Sequence, residues 1–142
     1  MRICGVELKG SDAIFAVIDV VNAKVSSVVC QTRKVKYGES AEQQSARFFY
    51  DAICGFIRDQ NIEHIGVKQR AQKGQFAGGP VTFKMEGLIQ LNPHATTQLF
   101  SGPTIAAATR RHNFQVPHQL NRYQADAYLT ACCAAVALNI IQ

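Results

Sequence analysis

Arg2-Ile3-Cys4-Gly5-Val6-Glu7-Leu8-Lys9-Gly10 opens the chain as an apolar strand that carries one acid and ends in a turn. Near the other end, Tyr123-Gln124-Ala125-Asp126-Ala127-Tyr128-Leu129 reads as an otherwise apolar helix that also carries one acid. The first segment is apolar enough to be a central strand. Glu7 and Asp126 are thus each the one acid of an otherwise apolar segment. A strand in the middle of the chain, His64-Ile65-Gly66-Val67-Lys68-Gln69, is equally apolar, and its charge is a lysine.

The segments between complete the pattern. Residues 2–8 and 13–20 are two apolar strands joined by Lys9-Gly10-Ser11-Asp12, where Gly10 supplies permissive backbone. After a second turn, residues 25–36 give a third strand that ends in Arg33-Lys34-Val35-Lys36. Short reversals of this kind make an antiparallel meander. A helix follows over about 41–60, with Ser40 or Glu39 as its cap. Its Ala46, Phe49, Tyr50, Ile53, Cys54 and Ile57 recur at the spacing of one buried face. Residues 62–67 form a fourth strand and 69–79 a loop. Pro80 suits the first turn of a helix that runs to about Leu91. A fifth strand spans 96–100, a short helix ends near Arg111, and a last helix runs from about Asn121 to Ile140. This order predicts an α/β fold: one domain over 1–142, a five-stranded mixed sheet with three antiparallel then two parallel strands, and helices on both faces.

The composition fits one ordinary domain. Of 142 residues, 47% are hydrophobic and 18% charged, too apolar for disorder. No run of about 18 uncharged apolar residues exists, so no membrane span is expected. The first residues lack the pattern of a signal peptide. The five cysteines are irregularly spaced, and three lie in apolar runs, so neither a zinc site nor a disulfide framework is expected. Reduced thiols without a signal point to the cytoplasm. The four histidines are scattered and read as surface or loop residues rather than ligands. A net charge of +5 and a pI near 9.1 permit an anionic partner.

The order of elements resembles the RNase H-like superfamily and, within it, the RuvC-like nucleases. Ile3-Cys4-Gly5-Val6-Glu7 stands where those proteins have a strand that ends in a catalytic aspartate. Phe56-Ile57-Arg58 through Ile65-Gly66-Val67-Lys68-Gln69 is similar to the helix and strand that lead into their catalytic glutamate. Gln124-Ala125-Asp126-Ala127 resembles the Ala-Asp-Ala of their last helix. The resemblance implies a Mg²⁺-dependent nuclease or resolvase, with Glu7, Asp126 and Lys68 as the catalytic set and Glu7 and Asp126 as the metal-binding residues. It also places Lys68 where the middle acid belongs and Tyr123 where a second helical acid belongs. Two-metal hydrolysis needs carboxylates that hold the ions about 3.5–4 Å apart. Lys68 should weaken the second ion and is expected to pair with Glu7 or Asp126. Glu86 and Glu42 are the remaining acids that could contribute.

The loop over 69–79 is a second candidate, for nucleic acid, DNA or RNA. Gly74, Gly78 and Gly79 free the backbone to present N–H groups to a phosphate beside a helix N-terminus. Arg70 and Lys73 add charge, and Phe76 can stack on a base. The alternatives are a catalytically inactive binding module on the same fold and a protein-interaction module. The apolar face of the last helix, with Tyr128, Leu129, Cys132, Cys133, Val136 and Ile140, packs in the core or supports a homodimer.

Overall fold

β1 (Arg2–Lys9) pairs antiparallel with β2 (Asp12–Val21) along its length, and parallel with β5 (His64–Lys68) on its other edge. Ile3, Cys4, Val6 and Leu8 are all buried, so both faces of β1 are covered, as a central strand requires. The computed structural model describes residues 1–40, 42–70 and 79–141. Its remaining strands are β3 (Lys24–Val28), β4 (Lys34–Lys36) and β6 (Thr96–Phe100). The five-strand path is β3-β2-β1-β5-β6, with β6 parallel to β5, and β4 pairs with β2 off that path. The mixed α/β sheet expected from the sequence is present.

The third strand is interrupted where the sequence suggested continuity. Val28 lies opposite Val17, and Lys34 opposite Ile14. The edge chain thus advances six residues while β2 advances three, and the surplus loops out. Phe15 N–H is satisfied by Arg33 O at 2.8 Å. Phe15 O accepts the Gln124 side-chain amide at 2.9 Å. The loop therefore leaves neither group of Phe15 orphaned.

The helices are α1 (Gln43–Asp59), α2 (Pro80–Gln90), α3 (Gly102–His112) and α4 (Ala125–Ala137), with a 3-10 turn over Arg122–Gln124 before α4. The last helix therefore starts later than its hydrophobic run suggested, because a capping box between Asn121 and Gln124 closes the turn first. Strand pleat divides the core in two. Even-numbered residues of β1 meet Phe49, Ile53, Ile57, Met85 and Ile89 of α1 and α2. Odd-numbered ones face α3 and α4, with Ile3 joining Ala127, Ala131, Cys132 and Ala135. The apolar face of α4 is spent inside the chain: Tyr128, Cys132 and Cys133 are buried, and all five cysteines are free thiols. His64 departs from expectation. It is buried in β5, and burial lowers its pKa.

α4 lies almost on the backbone of β1. A Cβ placed on Gly5 would sit 1.8 Å from Ala127 O and 2.6 Å from Ala131 N. At Gly66 of β5 the nearest atoms are Ala134 Cβ at 3.1 Å and Thr130 O at 3.2 Å. Small residues at 127, 131 and 134 complete the fit. Adding one methyl group at Gly5 must push a helix off a strand, because only backbone is in its way. Overpacking costs about 1–3 kcal/mol where side chains can yield. Gly5→Ala is therefore expected to cost more than about 3 kcal/mol in urea denaturation. Gly66→Ala should cost clearly less. Equal costs would show that the approach at Gly5 is not tight.

Candidate functional site

Glu7 and Lys68 are cross-strand partners in the β1–β5 register, two residues beyond Gly5 and Gly66 on the α4 face. Asp126 sits in the first turn of α4, where the helix dipole favours a negative charge. The contact at Gly5 brings that end of α4 over Glu7. Lys68 Nζ lies 2.9 Å from Asp126 Oδ2 and 4.0 Å from Glu7 Oε2. The side chains of Glu7, Lys68 and Asp126 are 12%, 27% and 48% exposed. Three residues far apart in sequence thus meet at one end of the sheet, and the lysine faces the acids as the sequence suggested.

The two acids are pushed in opposite directions. Burial, then the hydrogen bond with Asp126 and its charge, raise Glu7 from 4.5 to about 7, against the pull of Lys68 and Lys9. Burial also disfavours the Asp126 carboxylate, but hydrogen bonds from Lys68 and Glu7 and the nearby ammonium charges outweigh it, so its pKa is lowered. Near neutral pH the cluster is Asp126 carboxylate, Lys68 ammonium and a Glu7 that still holds part of its proton. A proton and an ammonium already neutralise the acids.

The surroundings are cationic, and several of these residues drew no notice in the sequence. Lys9 acts on both carboxyl groups. Strand register sets Lys34 opposite Ile14, and Ile14 opposite Glu7, so a lateral row runs Lys34, Ile14, Glu7, Lys68. Lys34 Nζ stands 5.2 Å from the centroid of the Tyr123 ring. Between α3 and α4 a cavity of about 320 Å³ is lined by Lys68, Asp126, Arg110, Thr109, Ile105 and Leu129, among others. The run Arg33-Lys34-Val35-Lys36 was visible in the sequence, but its position beside the site depends on β4 pairing with β2.

The loop candidates divide. Lys73, Phe76, Gly74 and Gly78 lie outside the described residues. Arg70 follows β5, and its buried Nε has no hydrogen-bond partner among the described residues. Gly79 is the N-cap of α2 at φ −75°, a conformation open to any residue. Glu86 and Glu42 do not join the pair. α2, which carries Glu86, packs Met85 and Ile89 into the opposite core, and Glu42 is the exposed N-cap of α1. Among the described residues, no group of three or more His, Cys, Asp or Glu side chains converges.

This donor set does not fit the Mg²⁺ pair that the resemblance implied. An ion at Asp126 Oδ2 must displace an ammonium 2.9 Å away and draw a proton from Glu7. The third carboxylate position is a cation.

A family model described as "Protein of unknown function (DUF3010)" matches residues 1–134. The chain belongs to this family. No curated protein matches it. Among solved structures, RuvC of Thermus thermophilus is similar with a TM-score of 0.77 at 11% identity, covering 99% of this chain and 96% of that one. The same protein in complex with Holliday junction substrate gives 0.71 at 11% identity with the same coverage. The Fowlpox virus resolvase with substrate Holliday junction DNA gives 0.50 at 11% identity, over 97% and 93%. The fold is RuvC-like. Among the described residues no helix is long and apolar enough to cross a membrane.

The raised Glu7 has a consequence for stability. The folded protein holds a proton that the unfolded chain releases between 4.5 and about 7, so stability falls as pH rises through that window. Asp126 acts oppositely and only in acid, where its contribution is lost as pH falls through its lowered pKa. Glu7→Gln keeps a donor toward Asp126 and cannot ionise. Its stability relative to wild type should therefore grow from about pH 5 to about pH 8, by up to roughly 3 kcal/mol. Chemical denaturation across pH measures this. A difference that stays flat would place Glu7 at an ordinary carboxylate pKa.

Proposed function

We propose that residues 1–142 act as one RuvC-like domain that binds nucleic acid through fixed cations, without a Mg²⁺-dependent cleavage step. The observation that carries this reading is the 2.9 Å ion pair between Lys68 and Asp126. At the place where a divalent ion would stand, the chain supplies its own cation. An ammonium is a compact charge suited to phosphate, but it cannot lower the pKa of a bound water as a metal ion does.

The cationic rim extends the same chemistry. Lys9, Lys34 and Arg110 border the cluster, and the chain carries a net charge of +5. A phosphodiester at the cluster would compete with Asp126 for Lys68 and could accept a hydrogen bond from protonated Glu7. The structural relatives support DNA as the partner, since two of them are complexes with a Holliday junction. A homodimer through α4 has little apolar surface left to form on, because most of that face is buried in the chain.

Binding should persist in EDTA and fall steeply with salt. Arg110→Ala and Lys9→Ala should each reduce the slope of log K against log salt by about one unit. Filter binding to junction, single-stranded and duplex DNA at several salt concentrations measures both. Mg²⁺-dependent cleavage by the wild-type protein would overturn this reading in favour of the nuclease, as would tight Mn²⁺ binding. No binding at low salt would remove nucleic acid altogether.

Lys68 tests the substitution of cation for metal directly. Lys68→Glu restores a third carboxylate and should create Mn²⁺ binding that calorimetry detects and the wild type lacks. Lys68→Ala should weaken nucleic-acid binding without gaining a metal. If Lys68→Glu folds and binds no Mn²⁺, Lys68 does not occupy the metal position.

A further inference from the structure

Tyr123 is 40% exposed and belongs to neither core cluster. The other exposed aromatic among the described residues, Phe48, lies on α1 beyond the opposite face of the sheet. The backbone that presents Tyr123 is firmly held. Asn121 donates to Gln124 Oε1 from its backbone N–H at 3.0 Å and its side-chain amide at 3.2 Å. Gln124 is buried, and its amide donates to Phe15 O of β2 at 2.9 Å. The turn is thus clamped at its start and tied to the sheet at its end. Its central residue is an open aromatic ring one helical turn before Asp126.

The ring has a cation beside it. Lys34 Nζ stands 5.2 Å from the ring centroid, in the lateral row that continues through Ile14 to Glu7 and Lys68. Strands are about 4.8 Å apart, so Lys34 and Lys68 are separated by roughly 14 Å across the face. A surface cation–π pair explains the contact between Lys34 and the ring. The buried tie from Gln124 to Phe15 O, which also positions α4, holds this turn in place, so the ring is presented from fixed backbone.

We infer that Tyr123 and Lys34 form a platform for an unpaired nucleobase, with the ring stacking on the base and the cations holding the flanking phosphates. Every base has a π-face, so stacking of this kind is tolerant of sequence. In a duplex those faces are taken by neighbouring bases, so an exposed ring engages single-stranded or extruded nucleotides. The substrate class is nucleic acid with unpaired bases beside the Glu7–Lys68–Asp126 cluster. This rests on the nucleic-acid reading above.

The chain has no tryptophan, so Tyr123→Trp introduces a single fluorescent indole. The probes are an oligothymidine and a blunt duplex of equal length, titrated in EDTA. The oligothymidine should quench the indole with saturation, and the duplex should bind without that quench. Tyr123→Ala should lower affinity for the single strand by about tenfold and change duplex affinity by less than about twofold. Tyr123→Phe should bind as the wild type does. Circular dichroism melts confirm that each variant is folded. If Tyr123→Ala binds the single strand as tightly as wild type, or loses single strand and duplex equally, the ring is no platform and this inference falls alone. A wild type that binds neither probe removes the nucleic-acid reading and this inference with it.

Discussion

The structure depends on one close approach, α4 resting on the backbone of β1 at Gly5. Strand and helix come so near that Ala127 O occupies the space of a Cβ. That contact sets the height of α4 above the sheet, and the Gln124 tie to Phe15 sets its lateral position. Asp126 is the residue beside Ala127, and Glu7 lies two residues beyond Gly5. Their encounter is therefore a by-product of packing, fixed by residues that carry no charge. Polar groups held by a scaffold of this kind keep their geometry without reorganising when a ligand arrives.

Within that geometry one substitution changes the electrostatics. A carboxylate at the end of β5 would have made three acids in a half-buried space, a charge density stable only around cations. Lys68 makes the cluster self-neutralising. The Lys68–Asp126 pair is only partly buried, with side chains 27% and 48% exposed, so it gives up only part of its hydration for a 2.9 Å contact between a strand end and a helix first turn. Glu7, further from the ammonium at 4.0 Å, is left to balance its burial with a proton. The RuvC-like fold thus carries here a cluster whose acids are balanced by the chain's own ammonium and a proton.

Much of this was legible in the sequence, for physical reasons. Period-two and period-3.6 patterns gave the order of strands and helices. The resemblance of both end segments to RuvC-like proteins marked Glu7 and Asp126, and Lys68 stood out as a charge in an apolar strand. Other features were hidden. The break between β3 and β4 is a matter of register, and Val25 to Lys36 carries no proline or glycine to mark it. Lys34, Lys9 and Arg110 lie on separate elements, and only the sheet order and the crossing of α3 bring them to one rim. Tyr123 read as a vacancy in an acidic motif, because its relation to Lys34 crosses the sheet. Gly5 read as one residue of an apolar strand, since nothing local shows which helix will lie on it.

The looped-out stretch between β3 and β4 also bears on how the molecule meets its own kind. A sheet ending in a long, flat strand offers a row of unpaired N–H and C=O groups on which another chain can extend the sheet. Here that edge is divided into five-residue β3 and three-residue β4, displaced from each other by the extra residues, and β4 carries lysines at both ends. An incoming strand would find no continuous register and would have to bury ammonium groups. The same irregularity that sets Lys34 beside Tyr123 thus keeps this border of the sheet closed to strand addition.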